Sequence, residues 1–204
     1  MCIRDRLNAV HPRLRLHVLV APWRELPARL RARDVDIVVG GLSDIERDDE
    51  LEHVTLSEHD TVVVGRAGHP LAGAERVTPA DVFAHPLVGP GMDADASDLL
   101  GALSRAVDVG RASTPAGADL LTIECDSSDV LRRVLLESDA LTFIPRFLVD
   151  ADIREGRLTV IADLDLGLRV TFGAAWLAGR SLGGAGATFL ELLSSEDATD
   201  ARAG

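Results

Sequence analysis

Six histidines, two cysteines and no lysine bound the chemistry open to this chain. The histidines, at positions 11, 17, 53, 59, 69 and 85, form no HExxH pair and no cluster with a cysteine, so zinc-ligand spacing is absent. His59 stands in Ser57-Glu58-His59-Asp60, but successive residues of a strand point to opposite faces, and a solvated turn accounts for the quartet better than a metal site. There is no GxSxG elbow for a serine nucleophile, and without lysine there is no phosphate-binding P-loop. Gly183-Gly184-Ala185-Gly186 lacks the dinucleotide-binding spacing and reads as a loop ahead of a last helix. Cys125 has nothing cationic near it in sequence to favour its thiolate, which points to an inert thiol rather than a redox sensor. The chain therefore reads as a binder and not an enzyme, with no catalytic residue, no metal and no cofactor expected.

What could bind rather than react begins with a glycine pair. Residues 31–43 read RARDVDIVVGGLS, in which Val35, Ile37, Val38 and Val39 form a β-branched run with charge before it and Gly40-Gly41 after it. A continuous apolar run of this length predicts a strand buried on both faces, as in a parallel sheet. Leu26 and Leu30 stand one helical turn apart just upstream, so a helix feeds the strand. In an open α/β sheet ligands bind at the carboxyl ends of strands, where glycine lets the backbone turn and come close. A plain turn explains the same pair, and this stretch alone favours the turn. Arg24, Arg29, Arg31 and Arg33 are offset by Asp34 and Asp36 and read as a solvated helix face.

The remaining chain alternates strand and helix signals. Residues 7–10 read as the last turn of a helix stopped by His11-Pro12. Residues 14–20, LRLHVLV, alternate apolar with polar and predict a strand; Pro22 then opens a helix over 23–33. An acidic loop or short helix at 44–52 leads to a strand at 61–65 and a turn-rich exit, RAGHPLA, at 66–72. Thr78 caps a short helix over 79–83 with Pro79 in its first position, and 86–91 make a brief strand ending in a glycine loop. A helix over 97–107 puts Leu99, Leu100 and Leu103 on one face. After a loop at 111–118 and a strand at 120–124, Ser127 or Ser128 caps a helix over 129–138. A strand at 141–144 stops at Pro145, a helix over 146–155 ends at Gly156, and two more strands lie at 158–161 and 168–177. A last helix covers 187–193, and 194–204 reads as a polar, disordered tail. The class is α/β with largely parallel sheets.

At 204 residues the chain holds one or two domains and a real core. Aromatics are 3% with no tyrosine, so that core must be aliphatic. The net charge of −12 argues against a surface built to grip a nucleic-acid backbone, which needs clustered positive charge. Cys2 and Cys125, far apart and free of any metal spacing, fit a reducing, cytoplasmic compartment. No apolar stretch reaches membrane-spanning length, and no membrane partner is expected. Residues 1–6, MCIRDR, lack the apolar core and cleavage site of a signal peptide, and look foreign to the chain from Leu7 onward, like a sequencing or cloning scar.

In order, HPRLRLHV, LRARDVDIVVGGL, VVVGRAGHPLA, VTPADVFAHPLVGPG, LTFIP and GRLTVI resemble the effector-binding domain of LysR-type transcriptional regulators, over about residues 7–193. The resemblance implies a two-lobed fold like a type 2 periplasmic binding protein. Lobe one would be residues 1–66 plus 171–204 and lobe two residues 67–170, with hinge crossings near 62–66 and 170–175. A small-molecule effector would sit between the lobes and change how the intact regulator, typically a homo-oligomer, holds DNA; the helix over 129–138 is the candidate subunit contact. Carried over position by position, the site would be lined by Gly41, Leu42 and Ser43, by Val88, Gly89 and Pro90, by Ser127 and Ser128, and by Phe143 and Ile144. Serines at a helix start suit a carboxylate, which the N–H groups and the positive end of the dipole attract, while Asp126 would oppose it; plain N-capping explains the same serines. The family's winged helix-turn-helix and linker helix have no counterpart here, nor does the first strand of lobe one, which would lie between 14–20 and 35–39. The chain thus reads as an N-terminally truncated fragment, touching DNA only through a missing N-terminal domain. A stand-alone solute-binding protein without a DNA role is the alternative and needs a secretion signal; an enzyme on the same scaffold needs an acid/base or metal set, and neither is found.

Overall fold

The longest strand of the chain, β2 over Leu51–Arg66, runs from one structural unit into another. The computed structural model describes residues 3–107, 120–162, 164 and 167–200. One unit comprises Met1–Glu58 and Val170–Gly204, the other His59–Arg169.

In the first unit, α1 (Ile3–Val10) packs on α7 (Gly183–Asp200), with His11 Nε2 and Thr188 Oγ1 3.1 Å apart. Pro22 precedes a single 3₁₀ turn, Trp23–Glu25, which runs into α2 (Leu26–Ala32) with Pro27 in its first turn. That helix closes on Arg33 in the left-handed region, φ 61°. Then comes β1 (Val38–Gly41), paired antiparallel with β7 (Arg169–Leu177), Val38 opposite Ala175 and Gly41 opposite Phe172. Leu30, Val38, Leu42, Ile45, Leu51 and Ala175 form the core of this unit. Gly173 is required where β7 passes β2: a Cβ there would lie 2.4 Å from the Val54 carbonyl and 2.5 Å from Leu42 Cδ1.

In the second unit the far half of β2 is flanked by β5 (Thr142–Pro145) and β6 (Leu158–Ala162), both antiparallel to it. The alternation along β2 divides the core in two. Val62 and Val64 pack with Leu131 and Leu135 of α5 (Ser128–Glu137), while Val63 packs with Phe83 of α3 (Pro79–Phe83) and Leu100 of α4 (Ala94–Ala106). Short strands β3 (Val88–Gly89) and β4 (Ile123–Glu124) run parallel, and Leu87 bridges in parallel to Leu141. Thr78 and Asp81 cap α3 reciprocally, and the Thr78 hydroxyl holds the Asp81 carboxyl below the usual carboxylate range. A 3₁₀ turn, Arg146–Val149, leads to α6 (Asp150–Arg154), which ends before Gly156 at φ 68°.

Several expectations are corrected. Residues 14–20 do not form a strand: they pair with no strand among the described residues, and Val18 and Val20 are 70% and 90% exposed. Alternation supplies two faces but not a neighbour to complete the hydrogen bonds. The run at 35–39 is not buried on both faces; β1 starts at Val38, which is buried, and Val39 is 46% exposed. Ladders are mainly antiparallel, because β2 carries the chain out of the first unit and β7 brings it back, and a hydrophobic run does not encode direction. The acidic segment ends in β2, which begins at Leu51. Leu99 turns outward while Leu100 is buried. The last helix begins at Gly183 and continues to Asp200, taking in the glycines read as a loop and most of the expected tail. The loop at 111–118 lies outside the described residues.

Candidate functional site

Residues expected to bind fall into two groups, one in each unit. In the first, Gly41 ends β1. Leu42 buries its side chain completely, donates its N–H to the Thr171 carbonyl and accepts from Ile45 and Glu46 through its own. It is a core residue with its backbone already engaged, and offers a ligand nothing. Ser43 is half-buried beside it.

The second unit gathers more. The Val88 N–H donates to the Leu141 carbonyl, the Cys125 N–H donates to the Gly89 carbonyl at 2.8 Å, and the Thr122 and Ile123 N–H groups donate to Leu87. The start of β5, β3 and β4 thus lie side by side in parallel. At the carboxyl end of β4 the chain turns through Cys125 and Asp126 into α5. Ser127 is the cap: its Oγ accepts from the Val130 N–H at 3.4 Å, and its carbonyl from the Leu131 N–H at 2.9 Å. Ser128, the first helical residue, is exposed, as is Pro90 after β3. Glu124, Asp126 and Asp129 are exposed around this helix start and offset its positive end. An acceptor that is not itself strongly anionic suits such a place better than a lone carboxylate does.

Not all the expected residues share a surface. Val88 is buried in the core beneath α5. Phe143 and Ile144 are neighbours on β5 and point to opposite faces: Phe143 packs toward Phe83, ring centroids 6.2 Å apart, and Ile144 toward Leu131 and Leu135. They cannot close one wall together.

Sequence reasoning misses Thr142. It is 1% exposed, and its Oγ1 has no hydrogen-bond partner among the described residues. That hydroxyl lies 3.7 Å from where a Cβ on Gly89 would stand, so the bare glycine is what leaves room beside it. A buried hydroxyl without a partner is costly and rare. The signal available in the sequence is a lone hydroxyl in the otherwise apolar LTFIP. Cys125 is a free, half-buried thiol whose Sγ lies 3.7 Å from the Ser127 carbonyl. Among the described residues no three His, Cys, Asp or Glu side chains converge as metal ligands, and no helix is long and apolar enough to cross a membrane.

Residues 3–198 match the profile of the LysR substrate binding domain. The chain belongs to that family. It is 32% identical over 198 residues to the SDS degradation transcriptional activation protein of a Pseudomonas species, an alignment covering 95% of this chain and 61% of that protein. The LysR domain here therefore spans less than two thirds of that relative's length. Solved LysR regulatory domains share its fold. The Neisseria meningitidis MetR regulatory domain superposes with a TM-score of 0.68 at 13% identity, covering 97% of this chain and 87% of that one. The Synechocystis CcmR regulatory domain, solved with 2-PG, gives 0.69 at 15% identity, covering 96% and 89%. These neighbours carry the two-lobed, periplasmic-binding-protein-like fold, and the family is one of transcriptional regulators rather than enzymes.

Proposed function

We propose that this LysR domain is the effector-sensing part of a cytoplasmic, homo-oligomeric regulator, and that its two units act as the lobes of the family fold. A small molecule shifts the population between their arrangements, and DNA is contacted by a part of the regulator outside this chain. In the second unit the effector presents a hydrogen-bond acceptor to Ser127, Ser128 and Thr142, beside Gly89 and Pro90. In the first unit Gly41 and Ser43 are the positions available to it. The observation that carries this reading is the unpartnered Thr142 hydroxyl next to Gly89, close to where β4 enters α5. A ligand or a water held by it would supply the missing partner.

The relative named for SDS degradation suggests the first probes. Titration calorimetry of this chain with aliphatic alcohols should find a binder, and carboxylates and alkyl sulfates of the same chain length, below micelle formation, should bind more weakly. Thr142→Val and Ser128→Ala should each weaken alcohol binding by about tenfold, the worth of one well-made hydrogen bond to a ligand. A binder whose affinity neither substitution changes would place the site elsewhere.

A further inference from the structure

The GHPLA turn lies outside the residues proposed to bind the effector. Its histidine, His69, is 3% exposed in the turn after β2. Nδ1 accepts the Leu71 N–H at 3.1 Å, and Nε2 faces the Asp139 carbonyl at 3.3 Å. One neutral tautomer satisfies both, with the proton on Nε2. Asp139 in turn accepts from Arg66, at the end of β2, through Nε at 2.9 Å and the terminal nitrogen at 2.7 Å. The ring therefore ties the exit of β2 to the residues that lead into β5.

We propose that His69 is an acid-sensitive pin of the turn that follows β2: taking up a proton at Nδ1 expels the Leu71 N–H from the ring and opens that turn. A proton there sets one N–H against that of Leu71 and places a charge in a buried site. Among the described residues the charged or titratable groups facing His69 are the Arg66 guanidinium from β2, the Asp139 carboxylate ahead of β5, and His85 beyond α3, whose ring meets it edge-on at 4.5 Å. The Asp81 carboxylate of α3 interacts in turn with His85. The Asp139 carboxylate is already held by Arg66, so it does little to neutralise a protonated ring. Burial, foremost, holds His69 below its ordinary value of 6.5. The proton thus binds the released state more tightly than the pinned one. The pin is intact above about pH 6.5 and weakens as the pH falls below it.

The test is native-state hydrogen exchange at the Leu71 amide between pH 7.5 and 5. After correction for the intrinsic pH dependence of exchange, the opening constant should rise as the pH falls below about 6.5, by at most about tenfold per pH unit, the limit for one proton taken up on opening. His69→Asn keeps an acceptor for Leu71, His69→Gln keeps a donor for Asp139, and neither titrates. Both should open more readily at pH 7.5 and lose the acid dependence. An acid response that survives in both variants overturns the proposal and assigns the response to a group other than His69. Should neither variant fold, the wild-type imidazole nitrogen shifts decide: a proton on Nε2 and a midpoint below 6.5 support the pin, and a midpoint at or above 6.5 overturns it.

Discussion

Replacing Thr142 by valine removes a hydroxyl that the fold buries and leaves unpartnered, and puts a methyl in nearly the same volume. Leaving such a group unsatisfied costs about 1–3 kcal/mol. Gly89 leaves space on that side, where a Cβ would be in ordinary contact at 3.7 Å. Thr142→Val should therefore stabilise the chain by about 1 kcal/mol, after the difference in shape is allowed for. For a protein of this size that raises the melting midpoint by about 2–4 °C. Urea unfolding measures it, with an unchanged slope showing that both end states keep their compactness. Thr142→Ser is the control, keeping the hydroxyl and losing about 0.8 kcal/mol with the methyl. A site held for binding gives up stability for function, so the valine variant should be more stable and a poorer binder at once. If Thr142→Val instead lowers stability by about 1 kcal/mol or more, the hydroxyl has a partner within the fold and the reasoning fails.

The packing yields two further predictions. Asp152, 8% exposed, accepts from Arg132 at 2.7 and 2.8 Å and from Arg157 at 2.6 Å, and its carboxyl is held below 3.8, by Arg132 first. Its contribution is therefore complete above about pH 4 and lost as the pH falls through the lower folded value; Asp152→Asn should cost about 2 kcal/mol at neutral pH and flatten the acid limb of a stability–pH curve. Gly173→Ala would drive a methyl into the Val54 carbonyl and Leu42, and should destabilise the first unit by about 3 kcal/mol, read by thermal unfolding.

Local signals were sufficient for much of this protein. Thr78 with Pro79, Pro22, Pro145 and Gly156 mark element ends where sequence places them, because caps, fixed φ angles and glycine's freedom act over a few residues. The order of six short motifs was enough for the LysR family, since shared ancestry leaves its trace along the chain. Pairing was not legible. The alternation of 14–20 looks like a strand and has none to join among the described residues, and β1 has Val39 exposed where a two-sided cover was expected, because a ladder depends on residues far away in sequence. The binding residues divided in the same way. A serine cap at 127 or 128 comes from local sequence, and Gly89 and Pro90 come from the resemblance to the LysR family. That Leu42 and Val88 belong to cores, that Phe143 and Ile144 part to opposite faces, and that Thr142 and His69 are buried with contrasting hydrogen-bond fates was settled by tertiary structure alone. Burial and the satisfaction of a polar group are properties of everything packed around a side chain, and no window of neighbouring residues contains them.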